Sequence, residues 1–134
     1  MKQVDVAIIG AGSAGLTARG KLAKNTDNYV IIDGGALGTT CARVGCMPSK
    51  VLIQVANDYH RRHKFKQEGI SGAERLEINL KDSLQHVRDL RDRFVRGVLS
   101  SHQYFEDKLI RGNASFIDEH TLEVNGEKIK ANKI

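Results

Sequence analysis

Val4-Asp5-Val6-Ala7-Ile8-Ile9-Gly10-Ala11-Gly12-Ser13-Ala14-Gly15 is the stretch from which the fold is read. Its first half is short, β-branched and almost continuously apolar. That is the pattern of a strand buried on both faces of a parallel sheet, ending near Ile9. Its second half is a Gly-x-Gly-x-x-Gly turn. From Ser13 to Lys24, Leu16, Ala18, Leu22 and Ala23 recur among polar residues and Asn25 follows, which predicts a helix of about three turns. Tyr29-Val30-Ile31-Ile32-Asp33 then reads as a second buried strand closing on an acid. Strand, glycine turn, helix, strand and terminal acid make one βαβ unit with a right-handed crossover, the front half of a doubly wound α/β nucleotide-binding fold.

Each part of the turn has a task. Gly10 permits the tight bend, Gly12 lets backbone approach a pyrophosphate, Gly15 lets helix and strand pack closely, and Ser13 and Ala14 complete the turn at the positive helix end. Asp33, 18 residues beyond Gly15, stands where an acid accepts hydrogen bonds from ribose hydroxyls, with Gly34 beside it. A bare glycine pattern makes only a tight turn about half the time; the flanking strands and the spaced acid favour a dinucleotide site.

Gly34 to Gly45 is a loop rich in Gly and Thr. Pro48 and Ser49 then open a helix to Lys64, with Val51, Leu52, Val55 and Tyr59 at helical spacing. Gly69 to Glu77 reads as a loop. From Asn79 to about Phe105, Leu80, Leu84, Val87, Leu90, Phe94 and Val98 predict a long helix with Arg88, Arg91, Arg93 and Arg96 around its other faces. In the tail, Leu109 to Gly112, Ser115 to Ile117, Thr121 to Val124 and Lys128 to Lys130 read as short strands around an Asn125-Gly126 hairpin turn, a small antiparallel meander.

The second informative stretch is Gly38-Thr39-Thr40-Cys41-Ala42-Arg43-Val44-Gly45-Cys46-Met47-Pro48-Ser49-Lys50. Two cysteines five positions apart do not share a helix face, so a bridge between them needs a non-helical bend, which Gly45 supplies. Cys46 near a helix N-terminus feels the positive dipole end, and Lys50 one turn on adds a cation, so Cys46 is expected to carry a low-pKa thiol. Arg43, between the cysteines, should favour thiolate further and make a disulfide here more oxidising. A zinc set of Cys41, Cys46, His60 and His63 is disfavoured, because the histidine gap is short and no finger surrounds it; no metal site is expected. His86, His102 and His120 are expected at the surface, without a role.

Composition narrows the class. A charged share of 28% and a hydrophobic share of 40% are ordinary for a globular protein, and no apolar run nears the length of a membrane helix. The start of the chain lacks the uninterrupted apolar region of a secretory signal, so a cytoplasmic protein is expected. There thiols stay reduced, and two cysteines are catalytic or redox-sensing rather than a staple. The net charge of +5 and the run Arg61 to Lys66 read as a solvated helix end, not a nucleic-acid surface, since aromatic interleaving is missing.

The glycine fingerprint followed by this cysteine block resembles the pyridine nucleotide-disulfide oxidoreductases, the class holding dihydrolipoamide dehydrogenase, glutathione reductase and mercuric reductase. The resemblance runs over the whole chain but covers only about the first third of such an enzyme. It implies that residues 1–134 are the N-terminal part of a Rossmann-type FAD-binding domain, stopping short of the nicotinamide-binding and dimer-interface domains, so that this piece alone is inactive. It implies FAD held by Gly10, Gly12, Ser13, Ala14, Gly15, Asp33, Gly34, Gly38, Thr39, Thr40, Lys50 and the Ala114 backbone, with NAD(P) in the full-length protein. It implies a redox-active disulfide, Cys41 exchanging with a dithiol or disulfide substrate such as lipoamide and Cys46 facing the flavin, in an enzyme that is a homodimer. Glutathione or mercuric reductase-like chemistry, or a non-catalytic FAD-binding or redox-sensing module, are the alternatives. Three positions depart from the class: Asp33 stands where Glu is usual, Thr39 where a second Gly precedes Thr-Cys, and Ala42-Arg43 where Leu-Asn is common.

Overall fold

The computed structural model describes residues 1–134 and divides them into two compact units, residues 1–39 with 98–134, and residues 40–97. The first is built on a six-stranded sheet. Its strands are β1 (Lys2–Ile9), β2 (Tyr29–Asp33), β3 (Leu109–Arg111), β4 (Ala114–Asp118), β5 (Thr121–Val124) and β6 (Glu127–Lys133), in the order β3-β2-β1-β6-β5-β4. Pairs β3-β2, β2-β1 and β1-β6 are parallel, and β6-β5-β4 run antiparallel. The expected parallel sheet and meander are therefore one continuous sheet, because β6 pairs on one side with β5 and on the other with β1. The stretch expected as the meander's first strand, β3, instead extends the parallel side beside β2.

Helix α1 (Ser13–Leu22) joins β1 to β2 as the glycine turn predicted, ending two residues earlier than expected. β2 is the spine: Val30 and Ile32 enter a core with Val4, Ala7, Leu122, Val124, Ile129 and Ala131. Tyr29 and Ile31 point the other way, into a second core with Ala11 and Phe105. That alternation is the two-residue period of a strand with both faces covered. β1 is less enclosed than its sequence promised, since Val6 and Ile8 are half-buried and Ile9 is exposed. The hairpin from β5 to β6 turns at Asn125 (φ 53°) and Gly126 (φ 81°), the pair of left-handed residues that such a turn requires.

The second unit is helical. It holds α2 (Thr40–Arg43), α3 (Cys46–Phe65) and most of α4 (Leu80–Ser101), which crosses the boundary after Gly97. Asn79 caps α4, its side-chain oxygen accepting from the Lys81 and Asp82 amides at 3.0 and 3.3 Å. Ala42 is the only buried residue of 40–97, and Leu80 and Leu84, read as part of the apolar stripe, are exposed. The helix expected to reach Phe105 stops at Ser101 and tightens into a 3₁₀ segment, His102–Lys108, with a kink at Phe105. Phe105 there drops into the second core, 1% exposed. No helix is long and apolar enough to cross a membrane.

Candidate functional site

The glycine turn does what its spacing demands. Gly10 adopts φ +104°, a conformation open to glycine. A Cβ on Gly15 would run into the Gly10 carbonyl, so this residue sets how closely α1 approaches the end of β1. Around Gly12, by contrast, a Cβ would meet nothing within 4 Å, so space lies open before the helix. The α1 ladder starts with the Leu16 amide donating to the Gly12 carbonyl at 2.9 Å, so the preceding amides have no acceptor within the helix. The first turn holds no acid, and Ser13 and Ala14 are exposed at it. Open space, free N–H groups and a positive helix end fit a phosphate group.

Beside the turn, Ile9, Gly10, Ile32, Asp33, Gly34, Gly35, Gly112, Asn113 and Ala114 line a cleft of about 260 Å³. Four of the residues singled out from sequence, Gly10, Asp33, Gly34 and Ala114, converge there. Asp33 is already engaged: one oxygen accepts from the Ala11 amide at 2.6 Å, the other from the Gly35 amide at 2.7 Å, and the Arg111 guanidinium lies 3.9 Å away. Each carboxylate oxygen keeps a second lone pair, so the acid can tie strand to turn and still accept from a ligand hydroxyl. The sequence reading did not single out Arg111 and Asn113. Their signal was the Asn125-Gly126 turn, since Asn125 donates to the Arg111 carbonyl at 2.8 Å and so fixes this wall of the cleft.

Gly38 (φ +103°) and Thr39 (φ +61°) form a left-handed pair. This explains why two glycines suit these positions, and it puts a β-branched residue, buried here, in a conformation costing roughly 1–2 kcal/mol. Thr40 and Lys50 belong to the helical unit. Thr40 opens α2 and accepts the Val44 amide at 3.0 Å, while Lys50 is exposed in the second turn of α3.

Cys41 lies in α2, and Cys46 is the first residue of α3, earlier than the Pro48 start expected. Between them Gly45 is pressed against the Thr40 carbonyl, 3.2 Å from where its Cβ would stand, which allows the sharp return of the chain. The two thiols are both free and close enough for Cys46 to act on Cys41, with hydrogen bonding as the largest influence. This bond, then partial burial and the charge of Cys46, raises the Cys41 pKa, whereas the Cys46 and Met47 amides, donating to the Cys41 sulfur, pull it down. Sequence placed the helix-end effect on Cys46. The structure gives the free amides of α3 to Cys41 instead, because a first-turn N–H points back along the axis toward the residue that precedes the bend. Pro48, in the same turn, brings no N–H to be satisfied.

His102, expected at the surface, is only 7% exposed, and neither ring nitrogen has a protein partner. The 3₁₀ turn swings its ring onto Phe105, 5.0 Å between centroids. Burial depresses its pKa below 6.5; Asp33 acts upward and Arg111 downward. Above 6.5 the imidazole is neutral folded or unfolded and costs nothing. As pH falls below 6.5 the unfolded chain takes up a proton that the folded chain refuses, so stability declines down to the folded pKa. In urea melts stability is expected to fall as pH drops through 6.5, more steeply further below it, with about 1.4 kcal/mol per pH unit as the ceiling for one proton. His102→Phe should remove it; an unchanged slope in that variant would mean another group is responsible.

Comparison with known proteins gives the family. The family model described as pyridine nucleotide-disulphide oxidoreductase matches residues 4–134. The dihydrolipoyl dehydrogenase of Manduca sexta is 33% identical over 126 residues, 92% of this chain and 25% of that protein. The mercuric reductase of Staphylococcus aureus is 32% identical over 130 residues, 93% of this chain and 23% of that protein. Among solved structures, the Cu(II) complex of the HOCl-induced flavoprotein disulfide reductase RclA from Escherichia coli has the same fold. Its TM-score is 0.64 at 23% identity, over 98% of this chain and 27% of that one. The chain thus spans about a quarter of the length of these relatives. Matched by that family model over residues 4–134, with a glycine turn on one unit and two free cysteines flanking a bend on the other, it belongs to the pyridine nucleotide-disulphide oxidoreductase family.

Proposed function

We propose that this chain is the N-terminal part of the FAD-binding domain of a disulfide oxidoreductase, passing electrons between a small dithiol or disulfide and NAD(P). The single observation that carries the reading is the sharp return of the chain at Gly45, against Thr40 and Cys41, which sets the Cys46 thiol near enough to raise the Cys41 pKa. The glycine turn supports FAD as the cofactor, since it offers space, N–H donors and a positive helix end to a pyrophosphate. Gly10, Gly12, Ser13, Ala14 and Gly15 would hold that group, Asp33, Gly34 and the Ala114 backbone the adenosine end. Gly38, Thr39, Thr40 and Lys50 are assigned to the cofactor by the family resemblance. FAD would supply the two-electron relay between nicotinamide and the cysteine pair.

The protein's own share of the chemistry is thiol–disulfide exchange. A cysteine thiolate attacks one sulfur of the substrate and breaks its S–S bond, the other sulfur leaves as a thiolate and takes a proton, and the second cysteine displaces the attached sulfur to close the Cys41–Cys46 disulfide. Cys41 is assigned the exchange with substrate and Cys46 the flavin side. In favour of a split between the two is the hydrogen bond linking them, which holds a proton on Cys41 while both amides at the head of α3 stand ready to stabilise its thiolate once that proton leaves. A lipoyl disulfide, as the free acid or its amide, is the substrate in keeping with the dihydrolipoyl dehydrogenases among the relatives, and the enzyme is a cytoplasmic homodimer in which both thiols are kept reduced.

Flavin binding is the test. FAD added to the purified chain should be retained through gel filtration with its visible absorbance and quenched fluorescence. Gly12→Ala, whose Cβ enters the open space before α1, should weaken retention at least about tenfold with little loss of stability. Equal retention by that variant would place the flavin elsewhere.

A further inference from the structure

Within the helical unit, Arg43, Val44, Arg91, Asp92 and Val95 line a second cleft, of about 280 Å³. Arg43 ends α2, two residues after Cys41, and Val44 stands two residues before Cys46, so the cleft borders the segment that joins the two cysteines, although neither cysteine lines it. Arg43 is half-buried and makes no ion pair or hydrogen bond. Arg91 is different: its Nε donates to Asp92 at 2.8 Å, which fixes the guanidinium and leaves its two terminal nitrogens free. The cleft thus carries two cations and one acid, an excess of one positive charge. Val44, 69% exposed, and Val95 add an apolar wall. The wider field has the same sign. Residues 40–97 hold twelve Lys and Arg against seven Asp and Glu, whereas the rest of the chain holds nine of each, so the whole net charge of +5 sits on the unit with the cysteines.

We infer that the Arg43–Arg91 cleft is the substrate subsite and that it selects a disulfide bearing a carboxylate a few carbons from its sulfur, in preference to a neutral one. This rests on the cysteine pair being redox-active. The carboxylate sits between the Arg43 and Arg91 guanidinium groups, which suit its planar pair of oxygens, and its methylenes lie on Val44 and Val95. From there the substrate disulfide reaches toward Cys41, two residues before Arg43. The cysteine thiolate breaks the substrate S–S bond, one half leaves as a thiolate and takes a proton, and the second cysteine releases the other half. The pair gives up two electrons and the substrate becomes two thiols.

The test uses the reduced chain with three symmetrical disulfides of similar size: dithiodipropionate (anionic), hydroxyethyl disulfide (neutral) and cystamine (cationic). Oxidation of the pair is followed by acid quench and thiol labelling. Each rate is divided by that of dithiothreitol with the same disulfide, which removes intrinsic reactivity. At low salt the anionic compound should react about tenfold faster than the neutral one and the cationic one more slowly still, the gap shrinking severalfold at about 0.5 M salt. Arg43→Gln and Arg91→Gln should each remove most of the anionic-to-neutral ratio, while Arg93→Gln, on the same helix but outside the cleft, keeps it. A ratio also tells recognition from thiol activation, since a changed cysteine pKa scales all three rates together. Equal normalised rates, or a ratio that survives both cleft substitutions, would overturn the subsite and leave the redox pair standing. Failure of every disulfide to give an intramolecular bridge would overturn the redox pair itself.

Discussion

Replacing either Cys41 or Cys46 by Ser is expected to lower the rate at which a bound mixed disulfide is resolved by at least about a thousandfold. The second thiol in the wild-type chain stands across the Gly45 bend, near enough to shift the Cys41 pKa, so resolution is intramolecular and needs no second collision. In the variant an external thiol must do the same work at millimolar concentration. Liquid chromatography with mass detection after adding a small disulfide would show a persistent adduct on Cys41→Ser or Cys46→Ser and none on the wild type. A finer outcome separates the forces on Cys41. Its two strongest ties to Cys46, the shared hydrogen bond and the charge repulsion, both raise its pKa, while the Cys46 and Met47 amides lower it. Cys46→Ala removes only the first kind. The pH at which Cys41 becomes half-maximally reactive to iodoacetamide should therefore fall in that variant; a rise would show that the amides at the head of α3 do not reach the sulfur.

Gly15→Ala is expected to destabilise the sheet unit by about 3 kcal/mol. The added methyl has no rotamer to escape through, and what it strikes is the backbone carbonyl of Gly10, which is held by the Gly10 amide's bond to the Ile32 carbonyl at 2.7 Å. Either α1 withdraws from β1 or the turn reopens, and both loosen the core where Leu16 packs beside Ala11 and Ile31. For a chain of this size, a loss of that order lowers the melting temperature by roughly 10 °C or more. Gly12→Ala provides the contrast, since its methyl meets nothing. The two glycines of one motif should thus separate cleanly in calorimetry, the first changing stability and the second changing binding. A Gly15→Ala protein that melts with the wild type would mean that the close approach of helix and strand is not what this glycine secures.

The sequence was most readable where short-range rules decide. β1, the glycine turn, α1 and β2 follow from apolar runs and glycine spacing, and the hairpin at Asn125-Gly126 from two residues that tolerate positive φ. It was less readable where partners are far apart. That β3 joins β2 rather than the meander depends on Ile31 to Asp33 pairing with Leu109 to Arg111, a contact no local pattern announces. The apolar spacing of α4 runs on smoothly toward Phe105, so nothing in the periodicity marks Ser101 as its end or sends His102 inward. Burial of Phe105 against Tyr29 and Ile31 overrides the helical period there. At the thiol pair, the spacing of Cys41, Gly45 and Cys46 foretold a bend. Which sulfur receives the free amides of α3 depended on the direction in which the bend returns the chain.

Cys41 and Cys46 are expected to act as one two-electron unit, and a redox titration by thiol trapping tests this most directly. The chain is equilibrated in dithiothreitol buffers of graded potential, quenched in acid and labelled with a maleimide, and the mass of each species is read. Only two forms are expected, both cysteines labelled or neither, interconverting in a single two-electron transition without dimers. A form with one label, two separate transitions, or disulfide-linked dimers in place of the intramolecular bridge would contradict it.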